Sequence, residues 1–177
     1  MRLTEELTLL MLDEESGYLE MVPGWDFACV MAGAVIAGLA LEERIDTDLD
    51  TLRLIDATPT GDELLDPTLK EIAEAEEERS TQYWIERSAA RSEDIVAATL
   101  ERLVDKGILD HETGGFWTLS RAVSRSGKYP GAAGKGGEDQ REVKSRILDS
   151  IWNDDIPDPR DAILVSLMHT CEGLKLL

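Results

Sequence analysis

Apolar residues recur along most of this chain at helical spacing. Leu7, Leu10 and Met11 follow Thr4, Glu5 and Glu6, which places an N-cap and two first-turn acids ahead of an amphipathic helix ending near Asp13. A Glu15-Ser16-Gly17 turn leads to an extended Tyr18 to Val22, and Pro23-Gly24 reverses the chain before Trp25. The run from Phe27 to Leu41 is apolar on all sides, about fifteen residues against the ~20 that a bilayer requires, so it reads as a buried helix. Its Ala32, Gly33, Ala34, Ala37, Gly38 and Ala40 suit close packing of neighbouring helices. From Arg44 to Ile55 polar and apolar residues alternate, as in Thr51-Leu52-Arg53-Leu54, which predicts a short hairpin.

Asp66-Pro67 predicts the next helix start, with Leu69, Ile72 and Ala73 on one face and the acidic run Glu74 to Glu78 as its exposed end. Ser92 opens another, in which Val96, Leu100, Leu103 and Val104 recur at i, i+4, i+7 and i+8 until Gly107 stops it. Ile108-Leu109, a His111 to Gly115 turn and Phe116 to Leu119 predict a second hairpin. Residues 124–137 lack apolar periodicity and read as a mobile loop. Val143, Ile147 and Ile151, with Leu148 and Trp152 beside them, define a further helix, and Asp158-Pro159 starts the last one. The pattern as a whole predicts a mainly α fold: a single compact helical domain over residues 1–177 with small β-hairpins and no internal repeat.

Charge restricts the partners. Eighteen Lys and Arg face 37 Asp and Glu, a formal charge of −19 that repels phosphate-rich ligands unless bases are locally segregated. Arg121 to Arg146 is where the sign changes: seven bases, Arg125 and Lys128 among them, stand against three acids. Such a segment is expected to make salt-sensitive contact with an anionic membrane, the alternative being a linker that Lys and Arg keep hydrated. Within the predicted helix-plus-wing unit, Ser92 to Leu119, acids outnumber bases along the helix, which disfavours DNA.

Candidate chemistry is sparse. Cys29 and Cys171 sit in apolar stretches without partners at metal or redox spacing and read as buried thiols in a reducing compartment. His111 and His169 lack neighbours at ligand or triad spacing, and the glycines of 131–137 follow no strand and precede no Gly-Lys-Ser/Thr. No metal, cofactor or catalytic residue is expected, and no nucleic-acid partner. The N-terminal residues lack the zones of a signal peptide, so a cytoplasmic location is expected.

Five short motifs then fall in order: Leu3-Thr4-Glu5-Glu6-Leu7, Leu39-Ala40-Leu41 with Arg44-Ile45, Pro59-Thr60-Gly61-Asp62-Glu63-Leu64-Leu65-Asp66, Leu103-Val104-Asp105-Lys106-Gly107-Ile108-Leu109, and Asp158-Pro159-Arg160-Asp161-Ala162. Together they resemble the Golgi phosphoprotein 3 family. That resemblance implies a compact helical domain without catalysis that binds phosphatidylinositol 4-phosphate at a membrane and serves a protein client as an adaptor. The family joins an interfacial tryptophan to phosphate-clamping arginines. Trp25 matches the tryptophan, with loop packing as its other reading. The arginines do not carry over, since their positions fall at Ala32, Glu93 and Val96. Arg87 and Arg91, at i, i+4 spacing, are the substitutes closest in sequence. The family tends to continue past Leu174-Lys175-Leu176-Leu177, so a cut within or just after a helix is expected there. The expected lipid-binding residues are therefore Trp25, Arg87, Arg91, Arg125 and Lys128, on a module peripheral to the cytoplasmic membrane face. The reading from a different class is a winged-helix-like interaction or regulatory protein that binds neither lipid nor DNA.

Overall fold

The computed structural model describes residues 1–12, 24–48, 50–112, 116–120, 135–153 and 156–177. The expected Glu15 to Val22 turn and extended segment, and with them Arg125 and Lys128, lie outside the described residues. Helix α1 (Leu3–Leu10) is buried along its whole length. Leu7 and Leu10 join the main core with Met31, Val35 and Leu39, whereas Leu9 and Leu12 join a second cluster with Leu100, Leu103, Ile108 and Leu109. Thr4 is not its cap. The N-cap is Arg2, whose backbone N–H donates to Glu5 Oε2 at 2.8 Å, because both sides of Thr4 are already inside the protein.

Helix α2 (Trp25–Leu41) is the axle, packing against α1, against α4 (Thr81–Ala89), α5 (Ser92–Asp105) and α7 (Pro159–Thr170). Small residues let those neighbours approach: a Cβ on Gly33 would stand 3.0 Å from a Leu167 methyl, and one on Gly38 3.0 Å from Leu65. No helix among the described residues is long and apolar enough to cross a membrane. After α2 comes the expected hairpin, β1 (Ile45–Thr47) antiparallel to β2 (Leu52–Leu54), with Ile45 opposite Leu54.

Helix α3 (Asp66–Ala73) begins one residue earlier than a capping Asp66 would have it, and the acidic run from Glu74 lies beyond its end. Asp66 instead serves the preceding turn: Oδ1 accepts from the backbone and hydroxyl of Thr60, each at 2.7 Å, and Oδ2 from Gly61 N at 3.1 Å. Ser80 caps α4 by accepting from Tyr83 N at 3.1 Å. Helix α5 ends as its periodicity predicts, with Gly107 at φ +68°. The second hairpin pairs β3 (Leu109–Glu112) with β4 (Phe116–Leu119), and it takes His111 into a strand opposite Trp117 instead of into the turn. Helix α6 (Lys135–Trp152) starts inside the segment expected to be loop, so residues 135–137 are helical. Asp158 caps α7 through Arg160 N at 2.8 Å, and a 3-10 turn (Gly173–Leu176) follows.

Candidate functional site

Among the described residues two ionic constellations bear on function: one is interior, the other sits on the α3–α4 face. The interior one surrounds α1. Glu5 is fully buried and takes Lys106 Nζ at 2.6 Å on both oxygens. Glu6, also buried, faces Arg160 at 2.8 Å and Arg146 at 3.1 Å, and Arg146 turns to Asp161 at 2.6 Å. Asp62 receives Arg102 Nη2 and Arg2 Nε, each at 2.6 Å, and the Leu64 N–H at 2.9 Å. Burial pushes the Asp62 carboxyl up, but the Arg102 hydrogen bond, the Leu64 N–H and the charges of Arg102 and Arg2 outweigh it and hold the group below the usual carboxylate range. Burial likewise lowers Arg102 and Arg146, and their carboxylate partners more than restore them. Charges removed from water in this way persist only when paired, so this network fixes the register of the helices and does not await a ligand.

Gln140, fully buried in α6, extends the network by donating to the carbonyls of Leu9 and Leu12, both at 2.8 Å. Leu9 is in the last turn of α1 and Leu12 lies just past it, so the Gln140 amide supplies donors where the helix ladder stops.

The second constellation holds two expected site residues. Arg87, on α4, donates through Nε to Glu71 Oε2, and Arg91, just past α4, reaches Glu71 Oε1 at 3.4 Å and Thr68 Oγ1 at 3.0 Å. One carboxylate of α3 thus holds two guanidinium groups side by side, beside an open concavity of about 500 Å³ that Tyr83, Glu86 and Ala90 also line. The hydrogen bond to Glu71, then its charge, raises Arg87 above its ordinary value.

Trp25 stands at the start of α2, 57% exposed, while Phe27 two residues on is buried. Ala28 and Ala32 of α2 form one small cluster with Ala89 of α4, so the first half of α2 lies along the second half of α4. The neighbourhood of Trp25 is acidic: burial first, then the negative charges of Asp26 and Glu86, push the nearby Cys29 thiol up. Of the other positions at which the resemblance would place arginines, Ala32 is fully buried, Glu93 is exposed and Val96 packs partly buried against the core.

Three bases of the basic segment, Arg141, Lys144 and Arg146, make contacts within the protein. Arg141 donates to Gly137 O at 2.8 Å, Lys144 to Leu176 O at 3.3 Å, and Arg146 belongs to the interior network. His111 stacks on Trp117 with ring centroids 4.3 Å apart, and His169 is exposed on α7. Among the described residues no group of three His, Cys, Asp or Glu side chains could hold a metal ion. Sequence reasoning missed one prominent group. Trp152, placed beside the buried face of its helix, is 79% exposed, and Ile156 beyond it is 97% exposed. The signal available was Trp152's offset by one residue from the Val143, Ile147, Ile151 row.

The structure is a mainly α domain with two small hairpins, locked by buried carboxylate–base pairs around its first helix. Four of the five ordered motifs meet in that lock: Glu5 and Glu6 of the first, Asp62 of the third, Lys106 of the fourth, Arg160 and Asp161 of the fifth. The remaining one supplies Leu39 and Ile45 to the core. The chain belongs to the Golgi phosphoprotein 3 (GPP34) family, whose model matches residues 3–177.

Proposed function

We propose that this chain is a non-enzymatic adaptor-type module that associates peripherally with membranes by binding anionic phospholipid headgroups. The observation that carries the reading is the Arg87–Arg91 pair. Two guanidinium groups held side by side at an open concavity offer the planar, forked donors that phosphate recognition uses. Glu71 holds that place in the free protein, as a carboxylate that a phosphate monoester, with more charge and more acceptor oxygens, would displace. Trp25, exposed at the start of α2, has the amphipathic ring that settles at headgroup level. Family membership supports a binding role and the absence of catalysis.

Flotation of the full chain with phosphatidylcholine vesicles, with or without phosphatidylserine or phosphatidylinositol 4-phosphate, tests this reading. Binding should require the anionic lipid, be lost in R87E/R91E and strengthen in Glu71→Gln, whose neutral side chain releases both arginines. R125E/K128E is the second arm. Loss in that variant alone moves the contact to the basic segment, and flotation indifferent to both variants refutes headgroup recognition by these residues.

A further inference from the structure

Thr4 is 2% exposed, yet among the described residues its Oγ1 has no hydrogen-bond partner. A hydroxyl buried in that state gives up its hydration for nothing in return. Thr4 lines a small, largely enclosed cavity of about 40 Å³, where the start of α1 meets the second half of α2 and the turn around Asp62. Ala34, Gly38 and Leu65 supply apolar wall. The polar wall is rich in donors. Leu3 and Thr4 are the first two residues of α1, so their N–H groups have no helix carbonyl one turn back. Arg2 pairs through Nη1 with Glu42 and through Nε with Asp62, and Arg160 gives Nε to Glu6 and Nη2 to the Met1 carbonyl. Among the described residues Arg2 Nη2 and Arg160 Nη1 therefore keep donors beyond those pairs. Asp62, on the same wall, already accepts from Arg102, Arg2 and the Leu64 N–H.

Size and charge select the ligand. A cavity of roughly 10–15 Å³ holds one water, provided that about two to four polar groups surround it, and this cavity has both the room and the groups. The two bases on its wall, Arg2 and Arg160, are balanced by two acids, Glu42 and Asp62, so it offers no net charge to an ion. We propose that this cavity binds ordered water, at least one molecule of which joins the Thr4 hydroxyl to the donors at the start of α1. Water accepts from those N–H groups and donates to Oγ1 at the same time. An anion only accepts, and it would add its charge beside the Glu42 and Asp62 carboxylates. The bound water is a structural part of the interior lock, joining the first turn of α1 to the segment that leads into α3. The inference does not depend on lipid binding, because the cavity shares no residue with Arg87, Arg91 or Trp25.

A crystal structure of the full chain grown with bromide in place of chloride, measured at the bromine absorption edge, tells water from anion. The expected result is a density peak within about 3.2 Å of Thr4 Oγ1 and of a second polar atom of the wall, with no anomalous signal. An anomalous peak there assigns the site to an anion and overturns the proposal, as does the absence of any peak. Thr4→Val then exchanges the hydroxyl for a methyl at nearly the same shape and helix propensity. It should lose the peak and lower the urea midpoint by about 0.5 M, whereas Thr4→Ser, which keeps the hydroxyl, should retain the peak. A midpoint that Thr4→Val leaves unchanged or raises would mean that the hydroxyl is an unmet polar group whose removal relieves the fold, and would equally overturn the proposal. Nuclear Overhauser contacts between water and the Leu3 and Thr4 amide protons provide a reading that needs no variant. Their presence is expected, and their absence would contradict a resident water.

Discussion

Asp62→Ala should remove about 3 kcal/mol of stability, and the figure follows from its partners. The carboxylate is 3% exposed and accepts from Arg102 at 2.6 and 3.2 Å, from Arg2 at 2.6 Å and from Leu64 N at 2.9 Å. Hydrogen bonds to charged groups contribute roughly 1.5–3 kcal/mol each, which would put the sum well above 5. Most of that is recovered, because the Arg102 and Arg2 side chains are 20% and 38% exposed and rehydrate, and they keep Glu63 and Glu42 as partners. Asp62→Asn keeps the Leu64 bond and should lose about half as much. At a urea slope of about 2 kcal/mol per molar, alanine lowers the unfolding midpoint by roughly 1.5 M with no change in slope. The carboxyl is held below its unfolded value, so its contribution is complete above about pH 4 and disappears as the pH falls through the folded value. The gap between wild type and Asp62→Ala should therefore be constant near neutrality and shrink in acid. A loss below about 1 kcal/mol, or a gap that stays the same at every pH, would refute the claim that Asp62 is a buried, charge-paired hub.

Gln140→Leu, which removes the two buried side-chain hydrogen bonds to the carbonyls of Leu9 and Leu12 at similar volume, should cost about 2 kcal/mol by the same urea assay. Gly136→Ala should destabilise by at least ~2 kcal/mol, because its Cβ would stand 2.1 Å from the Ile108 carbonyl where α6 crosses the base of the second hairpin; thermal unfolding reads it directly.

The parts of the fold legible in sequence are those with a local signature. The α5 row of Val96, Leu100, Leu103 and Val104 with its Gly107 stop, the Asp158 cap and both hairpins each announce themselves within a dozen residues. Helix α4 did not, because its inner face offers one large apolar residue, Trp84, followed by the small Ser88 and Ala89, of which Ala89 meets the alanines of α2, and a search for large apolar periodicity passes over it. The N-cap of α1 and the role of Asp66 were misplaced for a related reason: Thr4 and Asp66 have the right residue types, but tertiary burial and a turn six residues back decide what they bond. At the candidate site, Arg87 and Arg91 could be picked as residues. Their shared carboxylate could not, since Glu71 lies on a different helix and no local pattern ties it to them. The exposure of Trp152 was hidden by its neighbours, since Val143 and Ile147 of the same helix are buried while Ile151 and Trp152 are exposed.

The pairing of α1 has a consequence for the order in which the molecule can be made. Glu5 finds Lys106 across 101 residues and Glu6 finds Arg160 across 154. Helix α1 is thus made before the partners it needs and is completed only after them. Glu5 can pair once the end of α5 has emerged, whereas Glu6 waits for Arg146 of α6 and Arg160 of α7, so the burial of α1 is completed in stages. The contact between Glu6 and Arg160, which draws α1 and α7 together, is then the last of these pairs that can form.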